Sequence, residues 1–533
     1  MPMPTGGAWP PPQLAPAYQA YRDWDAWYDG SPDKLTAVYN GRAVTGQTLP
    51  PSQRLYPGQR AGGLVGRVSR WLWGSPPPSD ARDGRLHVPL PADLTAAAAN
   101  LLFSETPRLT AEDTAVQARL DQLIEDGLTT TLLHAAEADS ALGDVYLRPV
   151  VDQEVSPGKA FLAAVHADGA VPTIRWGRLL EVTFWSVLEV DGNTWVRLLE
   201  HHSRGRIEYA LFIGTATDLG QRRAFADHPG AAYLADLVDD SSGQSTGLDR
   251  LDVVRIPNAG PQRRWRTLPA LKYLGRSDLD GSEQIFDRID DVWTSWMRDI
   301  HLARARIMVP DYMLTSNGPG AGSSFDADRE VFRALRMPPN SESAGGQITV
   351  AQFAIRHAEH KATGDALVEL ALRHAGLSSQ TLGDEGDVAV TATEVQARER
   401  QSFTTRGTRV QSWAPAIAEA VELLLAVERV QLGGRADPVR PNVEFGDSVS
   451  ESPETIARTL QLLQAAEAVS LDTKVRMLHP DWADPDVRAE VERIKQDSGT
   501  GADPEQVLAG FAGNTSQDGD VPGEGENEEP AEE

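Results

Sequence analysis

Cysteine is absent from all 533 residues. Its absence removes disulfides, thiolate zinc sites and cysteine nucleophiles at once, and it fits a protein assembled in cytoplasm. Lysine is scarce too: only six of the 50 basic residues are lysine, which with the abundant alanine points to a GC-rich genome rather than to a mechanism. No run approaches 18 uninterrupted apolar residues. The richest, 416–427, carries Glu419 and Glu422, so no membrane span is expected. The start, Met1-Pro2-Met3-Pro4, has no basic region leading into an apolar core, so no secretory signal is expected either. Positive charge as a whole is short: 50 basic against 77 acidic side chains give −27 and a pI near 4.8. Proteins that grip a phosphate backbone carry a basic footprint. This composition argues against simple DNA binding. It leaves room for a smooth conduit, since a channel through which DNA slides should not hold it.

Catalytic patterns are also missing. The Gly318-Pro319-Gly320-Ala321-Gly322-Ser323-Ser324 loop has the glycines of a phosphate cradle but no P-loop lysine, and no clear strand delivers it. His357 and His360 lie one helical turn apart around Glu359, yet neither H-E-x-x-H nor its inverse occurs. His201 and His202 sit on an expected strand, where neighbours point to opposite faces and cannot share a metal. No G-x-S-x-G elbow is present. Acid pairs such as Asp290-Asp291 read as solvated helix faces. No enzyme activity, cofactor or metal is expected.

What is present is a chain long enough for two to four domains, with 41% apolar residues, ordinary for a folded protein. Residues 1–16, rich in Pro and Gly, read as flexible. An aromatic helix follows, with Tyr18, Tyr21, Trp24, Trp27 and Tyr28 at helical spacing. Residues 50–80 read as loop except for 64–73. Asp93 is placed as the N-cap of a helix over 92–104, and a second helix is expected over 111–139. The period then switches to two, predicting strands at 144–151, 161–166, 177–190, 194–202 and 206–213, with Asp191-Gly192 as a hairpin turn. The second half is mostly helical. Residues 282–306 form an amphipathic segment of roughly 40 Å. Phe286, Ile289, Trp293, Trp296 and Ile300 lie on its apolar stripe, and Asp287, Asp290, Asp291 and Asp299 lie opposite. A second helix is expected from about 349 to 375 and a third from 393 to 432, with Pro415 as a kink. A strand at 443–445 and helices at 453–468 and 485–497 follow. From 499 onward ten carboxylates and no basic residue mark a disordered acidic tail. The fold class is α+β.

Several strings, in order, resemble the portal proteins of long-tailed phages, particularly those infecting actinobacteria, over roughly 18–497. They are Trp24-Asp25-Ala26-Trp27-Tyr28-Asp29-Gly30, His87-Val88-Pro89-Leu90, Leu101-Leu102-Phe103-Ser104-Glu105, Gly143-Asp144-Val145-Tyr146-Leu147, Ser277-Asp278-Leu279 with Ile289-Asp290, Thr393-Glu394-Val395, Val443-Glu444-Phe445, and Val469-Ser470-Leu471-Asp472-Thr473. The first 16 residues and the tail have no counterpart in that pattern.

The resemblance implies a ring, commonly of twelve subunits, at one capsid vertex of the virion, assembled in the host cytoplasm. Double-stranded DNA passes through it, and it meets the major capsid protein, scaffold, terminase motor and head-tail adaptor. By position, the wing covers 1–277 and takes part of the long helix 392–439. The stem is 278–306 and 349–375, the clip 307–348, the tunnel loop 376–391 and the crown 440–498. On this reading the stem stripe packs between neighbours, an acidic face lines the bore, and Gly383, Asp384, Glu385, Gly386 and Asp387 project toward DNA. Asn317, Gly318, Gly320 and Gly322 lie on the clip that docks motor and adaptor. Two other readings stand beside it: another virion structural protein, such as a capsid-associated minor protein, or a soluble multidomain hydrolase built on a paired carboxylate.

Overall fold

The computed structural model describes residues 3–44, 85–239, 242–302, 306–308, 315–316, 323–324, 349–351, 355–382, 392–446, 459–464, 466, 469–479 and 484–497. The segment 64–73, the glycine loop 317–322, the loop residues 383–391 and the acidic tail lie outside them. The chain divides into two compact units, 1–446 and 447–533.

The start of the first unit is anchored. Trp9 N–H donates to the Thr217 carbonyl at 2.9 Å and Leu219 N–H to that of Gly7 at 2.8 Å, adding the segment to a sheet edge. Trp9 is buried with its ring edge-on to Trp185, and Leu14 is buried too. The flexibility expected of residues 1–16 is therefore corrected for those described: two large apolar side chains outweigh the Pro and Gly content. Helix α1 (Ala15–Asp29) follows and ends on Gly30 at φ 68. Next come α2 (Pro32–Val44) and α3 (Leu90–Phe103). Pro89 holds the N-cap position of α3; Asp93 sits in its first turn, where its charge favours the helix N-terminus.

After β1 (Arg108–Thr110), the single helix expected over 111–139 proves to be two, α4 (Thr114–Glu125) and α5 (Leu128–Leu142). Asp113 caps α4 by accepting from Ala115 and Val116 N–H at 2.9 Å, and Gly127 at φ 94 breaks the run. Strands β2 (Asp144–Val151), β3 (Ala160–His166), β4 (Ala170–Arg175), β5 (Arg178–Asp191), β6 (Thr194–Ser203) and β7 (Arg206–Thr215) lie within two residues of the expected bounds, with β4 unforeseen. The Asp191-Gly192 turn pairs Asp191 with Thr194. Strands β8 (Asp218–Arg223) and β9 (Gly243–Ser245) share one edge of β7, closing a sheet of order β4-β5-β6-β7-β8. Strand β10 (Val254–Pro257) joins β2 and β3 in a second antiparallel sheet.

Helix α6 (Glu283–Leu302) leads into short ladders: β11 (Arg306–Met308) pairs with β14 (Thr349–Ala351), and β12 (Thr315–Ser316) with β13 (Ser323–Ser324). Residues 349–351, expected as helix, are strand. Helix α7 is His357–Ala375, and α8 (Ala392–Val427) continues past Pro415 into a π-helical turn at 428–432. Strand β15 (Asn442–Glu444) pairs with β1. By length and composition, 400–432 could cross a membrane, but 61% of its apolar window is buried inside the protein. There Trp413, Ile417, Val421 and Leu424 fill a core with Leu120, Leu132 and Leu147. A separate core gathers Trp24, Trp27, Leu271, Phe286 and Ile289.

The second unit holds α9 (Leu471–Leu478), which was not foreseen, and α10 (Asp484–Asp497). They meet through Val475, Val487 and Val491. Of the helix expected over 453–468, residues 459–464 are described and helical.

Candidate functional site

Helix α6 is where the separated strings of the sequence converge. Its first turn is fixed by Glu283, which accepts from Trp24 Nε1 at 3.2 Å, from Arg264 at 3.1 Å and from Gly281 N–H at 2.8 Å. Phe286 packs 5.7 Å from the Trp27 ring, and Phe286 and Ile289 are each 1% exposed. The lead into the helix crosses the start of β2. Gly275 passes so close to Gly143 that a Cβ on it would lie 1.6 Å from the Gly143 carbonyl oxygen. Only glycine fits there. Asp144 accepts from Gly275 N–H at 2.8 Å, Asp278 N–H donates to the Ser140 carbonyl at 2.9 Å, and Ser277 Oγ donates to that of Ala141 at 2.6 Å. Three strings far apart in sequence thus make one joint.

The charged face of α6 is neutralised within the chain. Arg85 pairs with Asp287 at 2.7 Å and Asp291 at 3.2 Å. Asp290 is 1% exposed and accepts from Tyr39 OH at 2.8 Å and Val88 N–H at 2.9 Å, with His87 Nδ1 at 3.0 Å. Asp299 pairs with Arg356 and His360, each at 3.0 Å. Those hydrogen bonds, His360 first and then Arg356, lower the Asp299 pKa. Burial raises that of Asp291 against the pull of Arg85. The expected bare acidic face is corrected: Asp290 points into the protein, and the other three carboxylates have intrachain cations.

Helix α7 lies antiparallel to α6. The end of α6 meets the start of α7 at Asp299–His360, and the start of α6 meets the end of α7 where His374 Nε2 lies 3.0 Å from the Asp280 carbonyl. Trp296 stacks on His360 at 6.1 Å and 9°, and Trp293 packs against Trp296 at 5.2 Å. Along the stem stripe, Phe286 and Ile289 are used by the chain's own core, Trp293 and Trp296 by the helix pair, and Ile300 is left 40% exposed. His360 is held by Asp299 and Trp296 while His357 is exposed, and among the described residues no cluster could hold a metal.

Hydroxyls clasp α7 to α8. Gly376, at φ 77, ends α7, and its carbonyl accepts from Thr405 Oγ1 at 2.7 Å; Ser402 Oγ accepts from Ser378 N–H at 2.9 Å and lies 2.8 Å from Thr381 Oγ1. The expected tunnel loop, 376–391, begins at this clasp; its Gly383, Asp384, Glu385, Gly386 and Asp387 lie outside the described residues, as do Asn317, Gly318, Gly320 and Gly322. One turn further along α8, Arg409 is buried against Asp278, which also takes the Ser140 hydroxyl. Beneath them burial, then the Asp144 carboxylate, raises Asp139 well above the usual range, and Arg255 pairs with Asp144.

Sequence reasoning missed this buried network, because nothing in an isolated Arg409 marks its burial. It singled out His202 only to exclude joint metal ligation with His201 and missed its partners: Nδ1 lies 3.0 Å from Asp252 and Nε2 3.1 Å from Glu200. Burial opposes the charge on His202, yet the two carboxylates push its pKa up to about 9. His201 turns to the other face, 2.9 Å from Thr183 Oγ1, as strand alternation requires. A cavity of about 310 Å³ beside α4 is lined by Arg119, Lys159, Glu428 and Arg435. Glu428 is occupied there by Arg119 at 2.7 Å and Ala160 N–H at 2.9 Å, which leaves no free acid–base pair.

With this geometry, a joint holding an antiparallel helix pair and a long core helix, the sequence matches the family described as phage portal protein, SPP1 Gp6-like, over residues 21–502. The chain belongs to that family and is a portal protein, a structural virion component. No curated protein matches it at a significant level. Among solved structures it is similar to a chain from the neck of an empty GTA particle computed with C6 symmetry, at 13% identity and TM-score 0.42, covering 75% of this chain and 92% of that one. A chain from the virion of a native gene transfer agent particle gives 14% and 0.39, covering 78% and 98%. One from the neck of a native GTA particle with C12 symmetry gives 13% and 0.40, covering 80% and 99%.

Proposed function

We propose that this portal protein forms a closed ring, twelve copies in the virion of a long-tailed phage of the actinobacteriophage type. Double-stranded DNA enters and leaves through its bore. Helices α6 and α7 form the stem, 307–348 the clip that meets terminase and then the head-tail adaptor, 376–391 the tunnel loop and 440–498 the crown. Major capsid protein and scaffold surround the wing. The ring acts as a passage rather than an enzyme. The family match over 21–502 carries this reading, and the antiparallel pair, rooted in the core through Phe286 and Ile289, supports the stem assignment. The internal neutralisation of α6 changes the physics of the bore. Repulsion of phosphates then rests on carboxylates outside this helix, Asp384, Glu385 and Asp387 first among them, because rings of one sign build a field larger than any single group. The native mass of the purified chain, by mass photometry with negative-stain images, tests the reading. Rings with a central hole are expected. A chain that stays monomeric at high concentration with capsid and scaffold protein present overturns it.

A further inference from the structure

The charge of the chain is unevenly spread over the first unit. Residues 261–276 hold Arg263, Arg264, Arg266, Lys272 and Arg276 and no carboxylate. Arg264 is taken by Asp280 and Glu283. Among the described residues no carboxylate lies within ion-pair distance of the other four, and Arg263, Arg266 and Lys272 are exposed. The loop is built to present them: Trp265, Leu271 and Leu274 are buried beneath it, and Lys272 lies over the Tyr273 ring at 4.7 Å. Arg276 is half-buried; burial and then the nearby Arg263 lower its pKa, against the opposing pull of Asp278 and Asp280.

The reverse patch is α4 with its flanks. Residues 111–126 hold Glu112, Asp113, Asp121, Glu125 and Asp126, all exposed, and a single cation, Arg119, which is buried on Glu428 and reaches Asp126 at 3.6 Å. The two patches rest on different apolar cores, the loop on that of Trp24 and Phe286, and α4 on that of Trp413 and Leu424. No ion pair joins them within the chain among the described residues. Copies that each carry −27 repel one another, so association needs local complementarity.

We propose that the basic loop 263–276 of one copy docks on the acidic α4 segment 112–126 of the next. This rests on the ring reading above and names the surfaces that close the ring. Each copy offers one patch of each sign, so the contact is head-to-tail, the kind that generates rings when its rotation closes. It is electrostatic at the rim, and salt weakens it: the screening length falls from about 10 Å at about 0.1 M to about 3 Å at about 1 M.

The test uses the full chain and two charge reversals, a loop variant (R263E/R266E/K272E) and a helix variant (E112R/D121K/E125K). Asp113 is left in place as the α4 cap. Alone, the loop variant presents acid to acid and the helix variant base to base. Each is expected to need about tenfold or more protein to form rings than the unmodified chain. Mixed in equal amounts, they pair acid with base at every contact of an alternating ring, and assembly is expected to return. Circular dichroism melts check that each variant folds, and a neutral set (R263Q/R266Q/K272Q), expected to be intermediate, replaces a reversal that does not.

Ring formation by either reversal alone at the unmodified concentration, or a mixture that fails to assemble, overturns the proposal. So does a loop variant that assembles fully but loses binding to a short DNA duplex, which assigns the loop to nucleic acid. An unmodified chain that forms no ring is a different failure, that of the ring reading itself.

Discussion

At the scale of residues, buried charge holds the joint together. Arg409 and Asp278 are 7% and 6% exposed. Removing one member leaves the other uncompensated, so Arg409→Ala is expected to lower stability by about 3–5 kcal/mol, measured by urea unfolding. The cluster at His202 gives a pH signature. Its pKa, about 9, lies above the ordinary 6.5, so its contribution is whole below 6.5, shrinks between 6.5 and 9, and is gone above 9. Glu200, held down to about 2 by Arg148 and His202 against burial, stays ionised across that window. The stability gap between the natural chain and His202→Gln should therefore be larger at pH 6 than at pH 9.5. An equal gap at both would mean that the imidazolium contributes nothing.

At the scale of elements, composition misled where a few large side chains decide the outcome. Trp9 and Leu14 tie the proline-rich start to the sheet, so Trp9→Ala is expected to cost about 3–5 kcal/mol, readable as a lower denaturation midpoint. Strands were legible because alternation and turn residues are local signals. The break at Gly127 was not, since a single glycine between Leu123 and Ile124 on one side and Leu128 and Leu132 on the other leaves the helical period intact. The polar face of α6 was legible as a pattern, but not as a set of contacts: Arg85, His87 and Arg356 reach it from distant parts of the chain. If 376–391 is the tunnel loop as proposed, replacing Asp384, Glu385 and Asp387 together by Asn should reduce DNA retention in assembled particles while leaving ring mass unchanged. Unaltered packaging and retention would assign that loop to the solvated surface.

At the scale of the whole molecule, the proposed reading asks one chain to supply a passage, a docking rim and a subunit contact. Deleting Gly318–Ser323 is expected to leave ring assembly intact and to impair binding of the terminase or the adaptor, measured by pull-down with each. Normal binding of both would move the docking surface out of 307–348. The match over 21–502 covers nearly all of the chain, in keeping with a function carried by shape and assembly rather than by one constellation of side chains.

The amino-acid order alone determined the α+β class, the strand-rich middle, the long helices and the lack of any catalytic pattern, because periodicity and composition act over neighbouring residues. It also carried the strings that place the chain in its family. Only the tertiary structure decided what those strings touch: Gly143 and Asp278 fix the lead into α6, Trp24 holds Glu283 in its first turn, and Asp290, two turns along, takes His87 and Val88. It decided as well which acids are free, since an ion pair between residues 202 positions apart, such as Arg85 and Asp287, is fixed by packing and leaves no trace in local sequence.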